Sequence, residues 1–252
     1  MRAIVVTFLA GCGFAGRAVV DGAPSPVADA PAGDVAIDAV PCVGPAVEWT
    51  FDEDGGPTAA DTTNHHALAL TNAMWTAGHA STSALSLGGS GYGTTPYDPS
   101  FAATTALSVT AWLQPGDIAG HGGMIVKAAP AGPVQDWGFY EQQGELGALF
   151  NWPSATASPA TSSGAGLQMG VWSFVAFVYD GAAGQLTYYK DGQPITIASA
   201  PASLLQNPAS ITIGVDAGTP SYVTAAIDSV SIWQRVLTAS EVATVYAGGC
   251  LR

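Results

Sequence analysis

The densest group of chemistry-bearing side chains in this 252-residue sequence is the acidic run Asp52-Glu53-Asp54. Acid–base chemistry on a glycosidic bond needs two carboxyl groups on one face, with the sugar between them. Neighbours in an extended strand point to opposite faces, so three consecutive acids do not form such a pair. The run with its two following glycines also opens like a calcium loop, but position twelve would be Thr63, where a bidentate Glu is required. No Gly-x-Ser-x-Gly elbow, His-Glu-x-x-His helix or phosphate-binding Gly-x-x-x-x-Gly-Lys occurs anywhere in the chain. His65, His66, His79 and His121 lack metal-ligand spacing and read as polar turn residues. The expectation is a protein that is not an enzyme.

Aromatic residues are the better candidates for binding. Of seven Trp, Trp49, Trp112, Trp172 and Trp233 lie in regular apolar blocks and read as core or inter-sheet packing. Trp75, Trp137 and Trp152 are not explained that way. Trp137-Gly138-Phe139-Tyr140 and Phe150-Asn151-Trp152 flank Gln143-Gly144 as a hairpin. Trp137, Tyr140, Asn151 and Trp152, with Glu141 and Gln142, are the types that stack on sugar rings and bond their hydroxyls. They form the candidate carbohydrate site, although rings on a mid-sheet hairpin also suit a core.

Elements that position these residues follow from the texture of the chain. After Cys42, short apolar runs alternate with Gly, Pro, Asn and Asp clusters, the pattern of a many-stranded sandwich. Residues 107–114 alternate with period two, which puts Leu107, Val109, Ala111 and Leu113 on one face. Residues 171–179 are apolar on both faces, as a covered central strand should be. Asp191-Gly192 marks a hairpin turn. One helix is predicted, capped by Thr238 and Glu241 and ended by Gly248-Gly249.

Six Lys and Arg against 19 Asp and Glu give a formal charge of −13, which repels a phosphate backbone, so no nucleic-acid partner is expected. At the N-terminus, Arg2 precedes an apolar stretch from Ala3 to Ala10 that is too short to span a bilayer and reads as an export signal. It runs into Leu9-Ala10-Gly11-Cys12, which resembles a bacterial lipobox. The resemblance implies a signal over residues 1–11, a lipid anchor on Cys12 and localisation at the cell envelope, with a lean toward the outer membrane. A cleaved secretory signal or a buried strand are the alternatives. Residues 12–41, rich in Ala, Pro, Gly and Asp, read as a disordered tether. Cys42 and Cys250 then bracket the body at 42–252 and are either a disulfide, as an oxidising compartment allows, or two free thiols.

Taken in order, the blocks 47–53, 60–64, 83–89, 107–113, 172–181, 189–192, 211–214 and 226–233, with the helix behind them, resemble laminin-G-like domains of the concanavalin A type. The resemblance implies an all-β jelly-roll β-sandwich of two antiparallel sheets with one short C-terminal helix. The fold carries lectins, adhesion modules and glucanases alike, but the Glu-x-Asp-x-Glu strand of its retaining glucanases is missing here. Related modules hold a structural Ca2+ with an acid from the first strand and another from the last. By that resemblance Asp52 and Asp228 would be ligands and Asn64 would help complete an oxygen shell. The alternative is an Asp228 that bonds backbone groups in a turn or pairs with Arg235. The expected function is non-catalytic binding of a glycan, with protein–protein adhesion or a structural role in the envelope as the alternative and glycoside hydrolysis behind both.

Overall fold

The computed structural model describes residues 42–63, 65–80, 83–128, 135–152, 164–218 and 220–251. The signal, the tether, Cys12 and Asn64 lie outside these residues, as does the side chain of Trp152. The strands in chain order are β1 (Val47–Trp49), β2 (Thr58–Ala59), β3 (Leu68–Thr71), β4 (Met74–Ala77), β5 (Ser83–Ser86), β6 (Tyr92–Thr95), β7 (Ala106–Pro115), β8 (His121–Ala128) and β9 (Gln135–Gln142). They continue with β10 (Glu145–Trp152), β11 (Ser173–Asp180), β12 (Gln185–Lys190), β13 (Gln193–Ser199), β14 (Ile211–Ile213), β15 (Val215–Asp216), β16 (Ser221–Tyr222) and β17 (Ala225–Trp233), and the helix α1 (Ala239–Tyr246) closes the chain.

Two sheets stack as the alternation predicts. The first runs β13-β12-β11-β7-β17-β5-β4, with β1 also on β17, and the second runs β10-β9-β8-β14-β6-β3-β2. Among the described residues pairing is antiparallel except for one parallel contact of β16 with β8. Leu107, Val109, Ala111 and Leu113 point into the core between the sheets, where they meet Trp49, Phe139, Phe177 and Tyr188. β11 is covered on both faces. Val175, Phe177 and Tyr179 enter the main core, while Phe174, Ala176 and Val178 pack outward with Trp233 of β17, with Leu237 and with Val242 of the helix.

Turn chemistry fixes the registers. Asp191 and Gly192, at φ 49° and 76°, join β12 to β13, and Gln143 and Gly144, at φ 53° and 77°, join β9 to β10. Positive φ at both central residues defines the type I′ turn, whose twist matches the strands. Helix α1 starts at a complete capping box, in which Thr238 accepts from the Glu241 amide and Glu241 reaches back. Arg235 pairs with Glu241 at 2.7 Å, so it is not the partner of Asp228.

β1 and β17 lie side by side, with Val47 opposite Ile232. That neighbourhood brings the ends of the body together, and Cys42 and Cys250 form a disulfide across a sequence separation of 208 with their Cα atoms 5.5 Å apart.

Candidate functional site

The outward-facing side of the first sheet carries the site. One register shift creates it: Asp228 opposes Trp112 and Ser231 opposes Thr110, so three steps along β17 match two along β7. The extra residue is a β-bulge, and Ser229 sits in it at φ 50°. The bulge keeps both Ile227 and Val230 in the core while turning Asp228 and Ser229 to the outside. Across the same point β17 exchanges one neighbour for another, pairing with β5 at Ala226 and Ile227 and with β1 from Val230 onward.

A cleft of about 530 Å³ opens over this bulge. Its floor takes Glu48 from β1, Thr110 and Trp112 from β7, Phe174 from β11, and Asp228, Ser231 and Trp233 from β17. The disulfide, the chain on either side of it, Tyr246 and His79 form the rim. The rings are mutually packed: Trp112 lies 5.5 Å from Phe174 and 5.6 Å from Tyr246, and His79 stacks on Trp112 at 3.3 Å. Asp228 accepts from the His79 amide at 3.0 Å and from the Ser229 hydroxyl at 3.2 Å. Burial pushes its carboxyl upward, and the charge of nearby Asp52 adds to the rise. Two floor atoms, Thr110 Oγ1 and Trp233 Nε1, are buried without a hydrogen-bond partner, which is unusual for groups whose desolvation is costly.

Residues singled out from sequence fare differently. Asp52 and Asp228 do reach one cleft. The hairpin site is corrected by burial. Trp137 has no exposed surface and packs in the core against Phe139, so it offers no ring to a sugar. Tyr140 is 4% exposed, lies under the His121 ring and bonds Asp216. Asn151 holds the loop below it by donating to Ser203 O and accepting from the Leu205 amide. Glu141 folds back onto the Gly144 amide at 2.7 Å.

His66 is corrected as well, because it is buried and not a surface turn residue. Its Nδ1 lies 2.9 Å from Asp61 Oδ2 and its Nε2 lies 3.0 Å from Ser100 Oγ. The order Asp, His, Ser is that of a hydrolase triad. The amides an oxyanion would need are engaged, however: Ser100 N bonds Asp98 Oδ1, Phe101 N bonds Asp98 O and Ala102 N bonds Pro99 O. The relay ties the turn after β2 to the segment before β7.

The comparisons with known proteins agree with this architecture. Residues 87–243, more than half of the chain, match Laminin_G_3, the concanavalin A-like lectin/glucanases superfamily. The chain belongs to this superfamily. No curated protein matches it in sequence. Among solved structures it is similar to a Trypanosoma rangeli sialidase in complex with the inhibitor DANA, with a TM-score of 0.61 and 16% identity. That likeness covers 82% of this chain and 33% of the sialidase, so the chain spans about a third of the sialidase's length. Domain 4 of an extracellular arabinanase from Geobacillus stearothermophilus, in complex with arabinotriose, aligns with a TM-score of 0.58 at 18% identity, covering 81% of this chain and 98% of that domain. Botulinum neurotoxin type C, whose cell entry is described as dependent on two ganglioside molecules, aligns at 0.60 and 12% identity over 80% of this chain and 50% of its own. At such identities the likeness establishes the jelly roll, a fold that occurs in chains with catalysis and in chains that bind carbohydrate.

Proposed function

We propose that this protein is a non-catalytic carbohydrate-binding module, held at the bacterial envelope by a lipid on Cys12. The observation that supports the binding role best is the cleft over the β17 bulge, where packed rings stand beside carboxylates and unpartnered polar atoms. Sugar rings present apolar C–H faces to aromatics and hydroxyls to polar groups, and the cleft supplies both kinds of partner within one concavity. Glycan-array binding with the disulfide intact tests the reading, using Trp112→Ala and Tyr246→Ala as controls. Binding lost in both variants supports it, whereas no glycan bound by the parent protein moves the weight to adhesion or a structural role in the envelope. Lipid attachment is checked separately by the mass of the N-terminal peptide, which Cys12→Ser should strip of its acyl chains.

A calcium ion at Asp52 and Asp228 is the second reading. It is favoured by the proximity of these two acids, one of them buried, beside the bulge. Calcium takes six to eight oxygens, so the two carboxylates would need carbonyls or waters to complete the shell. A melting temperature lowered by a chelator would support this reading, and one left unchanged would count against it.

A further inference from the structure

Resting on the reading of the cleft as a glycan site, we propose that its ligand is a cationic glycan, a sugar chain that carries unsubstituted, protonated amino groups. Three carboxylates, of Glu48, Asp52 and Asp228, line the cleft, and no Lys or Arg lines it. The cations among the described residues are engaged elsewhere. Lys127 is held by Asp136 and by Asn207 O, Lys190 by the carbonyls of Ala165 and Gly166, and Arg235 by Glu241. An anionic sugar would meet repulsion from three sides. A neutral one would leave the buried Asp228 beside Asp52 with its two hydrogen bonds but no countercharge. An ammonium group supplies the missing charge and donates hydrogen bonds to it.

The polar floor makes an independent case for a hydroxylated partner. Thr110 is 1% exposed and Trp233 5% exposed, and in each the polar atom has no partner. Indole Nε1 can only donate, so its partner must present an acceptor oxygen, while the threonine hydroxyl can take either role. A sugar hydroxyl meets both needs where the floor side chains shift to admit it, since neither atom has accessible surface in the cleft as it stands. The accessible rings of Trp112 and Tyr246 complete the match, since aromatic faces attract sugar C–H groups and ammonium ions alike. A calcium ion would answer the charge but not the rest. No group of three or more His, Cys, Asp or Glu able to hold a metal occurs among the described residues, and neither an indole N–H nor a phenyl face ligates calcium.

Isothermal titration of the full chain, disulfide intact, with oligomers of glucosamine and of N-acetylglucosamine of equal length decides the question. The amine oligomer should bind about tenfold tighter or more, the scale of one charge-assisted contact. The preference should shrink as salt is raised and fall in Glu48→Gln, a variant at a half-buried position on β1 whose folding a thermal melt checks. Asp228→Asn should lower it further, with a thermal melt confirming that the variant is folded, and Trp112→Ala should weaken both oligomers together. Equal binding of the two oligomers overturns the charge inference and leaves the glycan reading standing. Binding of neither oligomer, and of no other glycan on a wider array, defeats the glycan reading itself. Binding that requires calcium and ignores the amine gives the acids to the metal and overturns the inference.

Discussion

Replacing Asp61 by Asn should remove a defined, pH-dependent share of the stability. The Asp61 side chain has no exposed surface, and its carboxylate accepts from the amides of Glu48, Thr63 and His66, from the Thr63 hydroxyl and from the His66 ring. Burial alone would raise its carboxyl. The Thr63, Glu48 and His66 donors outweigh that and hold it at about 2, down from an ordinary 3.8. A drop of that size is worth about 2.5 kcal/mol at about 1.4 kcal/mol per pH unit. The folded-state value is depressed, so the contribution is fully present above the unfolded value near 4 and is lost as pH falls toward 2. The carboxyls of Asp136, Glu141 and Asp228 are pushed up by burial, and they act with the opposite sign, costing stability at neutral pH. For that reason the informative quantity is the difference between the parent protein and Asp61→Asn. Denaturant unfolding followed by tryptophan fluorescence, repeated from pH 7 to pH 2, should show the gap at neutral pH closing by about 2 kcal/mol between pH 5 and pH 2, with the remainder lost below pH 2. A gap that stays constant over that range would refute the argument that the Asp61 hydrogen bonds stabilise its charged form.

Three further outcomes follow from the same structure. Reducing the Cys42–Cys250 bridge, which spans 208 positions, should lower stability by up to about 5 kcal/mol in the chain-entropy model, measured by denaturation with and without reductant. Trp137→Ala should cost about 3–5 kcal/mol as a core truncation, whereas Trp112→Ala, at the half-buried cleft floor, should cost about 1 kcal/mol, and paired unfolding curves separate them. Gly192→Ala should cost about 1–2 kcal/mol, because the residue sits at φ 76° and an added Cβ would come within 2.8 Å of the Tyr246 ring; thermal melts read the loss, and a near-UV spectrum reads the displaced tyrosine.

The framework was legible because period-two patterning and turn chemistry are local. The alternation over Leu107–Leu113, the two-faced apolar run of β11, the Asp191-Gly192 turn and the capping box at Thr238 all reach the structure as the sequence pattern implies. The aromatic assignments fared worse, because a strand pattern says that two faces differ without saying what covers each. Trp137 reads as a sugar contact because it stands outside the regular apolar blocks, yet on a mid-sheet strand between β8 and β10 its ring faces the core between the sheets.

Trp112 carries the opposite lesson. The alternation that sends Val109, Ala111 and Leu113 inward already places Thr110 and Trp112 on the other face, so the two floor residues that β7 supplies could have been read from that strand alone. The bulge that gathers Asp228 and Ser229 has no comparable local signature. Ser229 is not a glycine, and the extra residue shows only when β17 is paired with β7. The buried His66 escaped for a related reason: its partner Ser100 is 34 residues away in sequence, and no spacing rule joins them.

The central claim is that the outward cleft of the β1-β17-β7 surface binds glycan. Glycan-array binding by the disulfide-intact protein, set beside Trp112→Ala, Tyr246→Ala and the control Trp75→Phe on β4, a residue that does not line the cleft, tests it most directly. The account predicts binding that is kept in Trp75→Phe and lost in Trp112→Ala and Tyr246→Ala, with all three variants folded. Glycan binding that survives the loss of both cleft rings would contradict it and place the site elsewhere on the jelly roll.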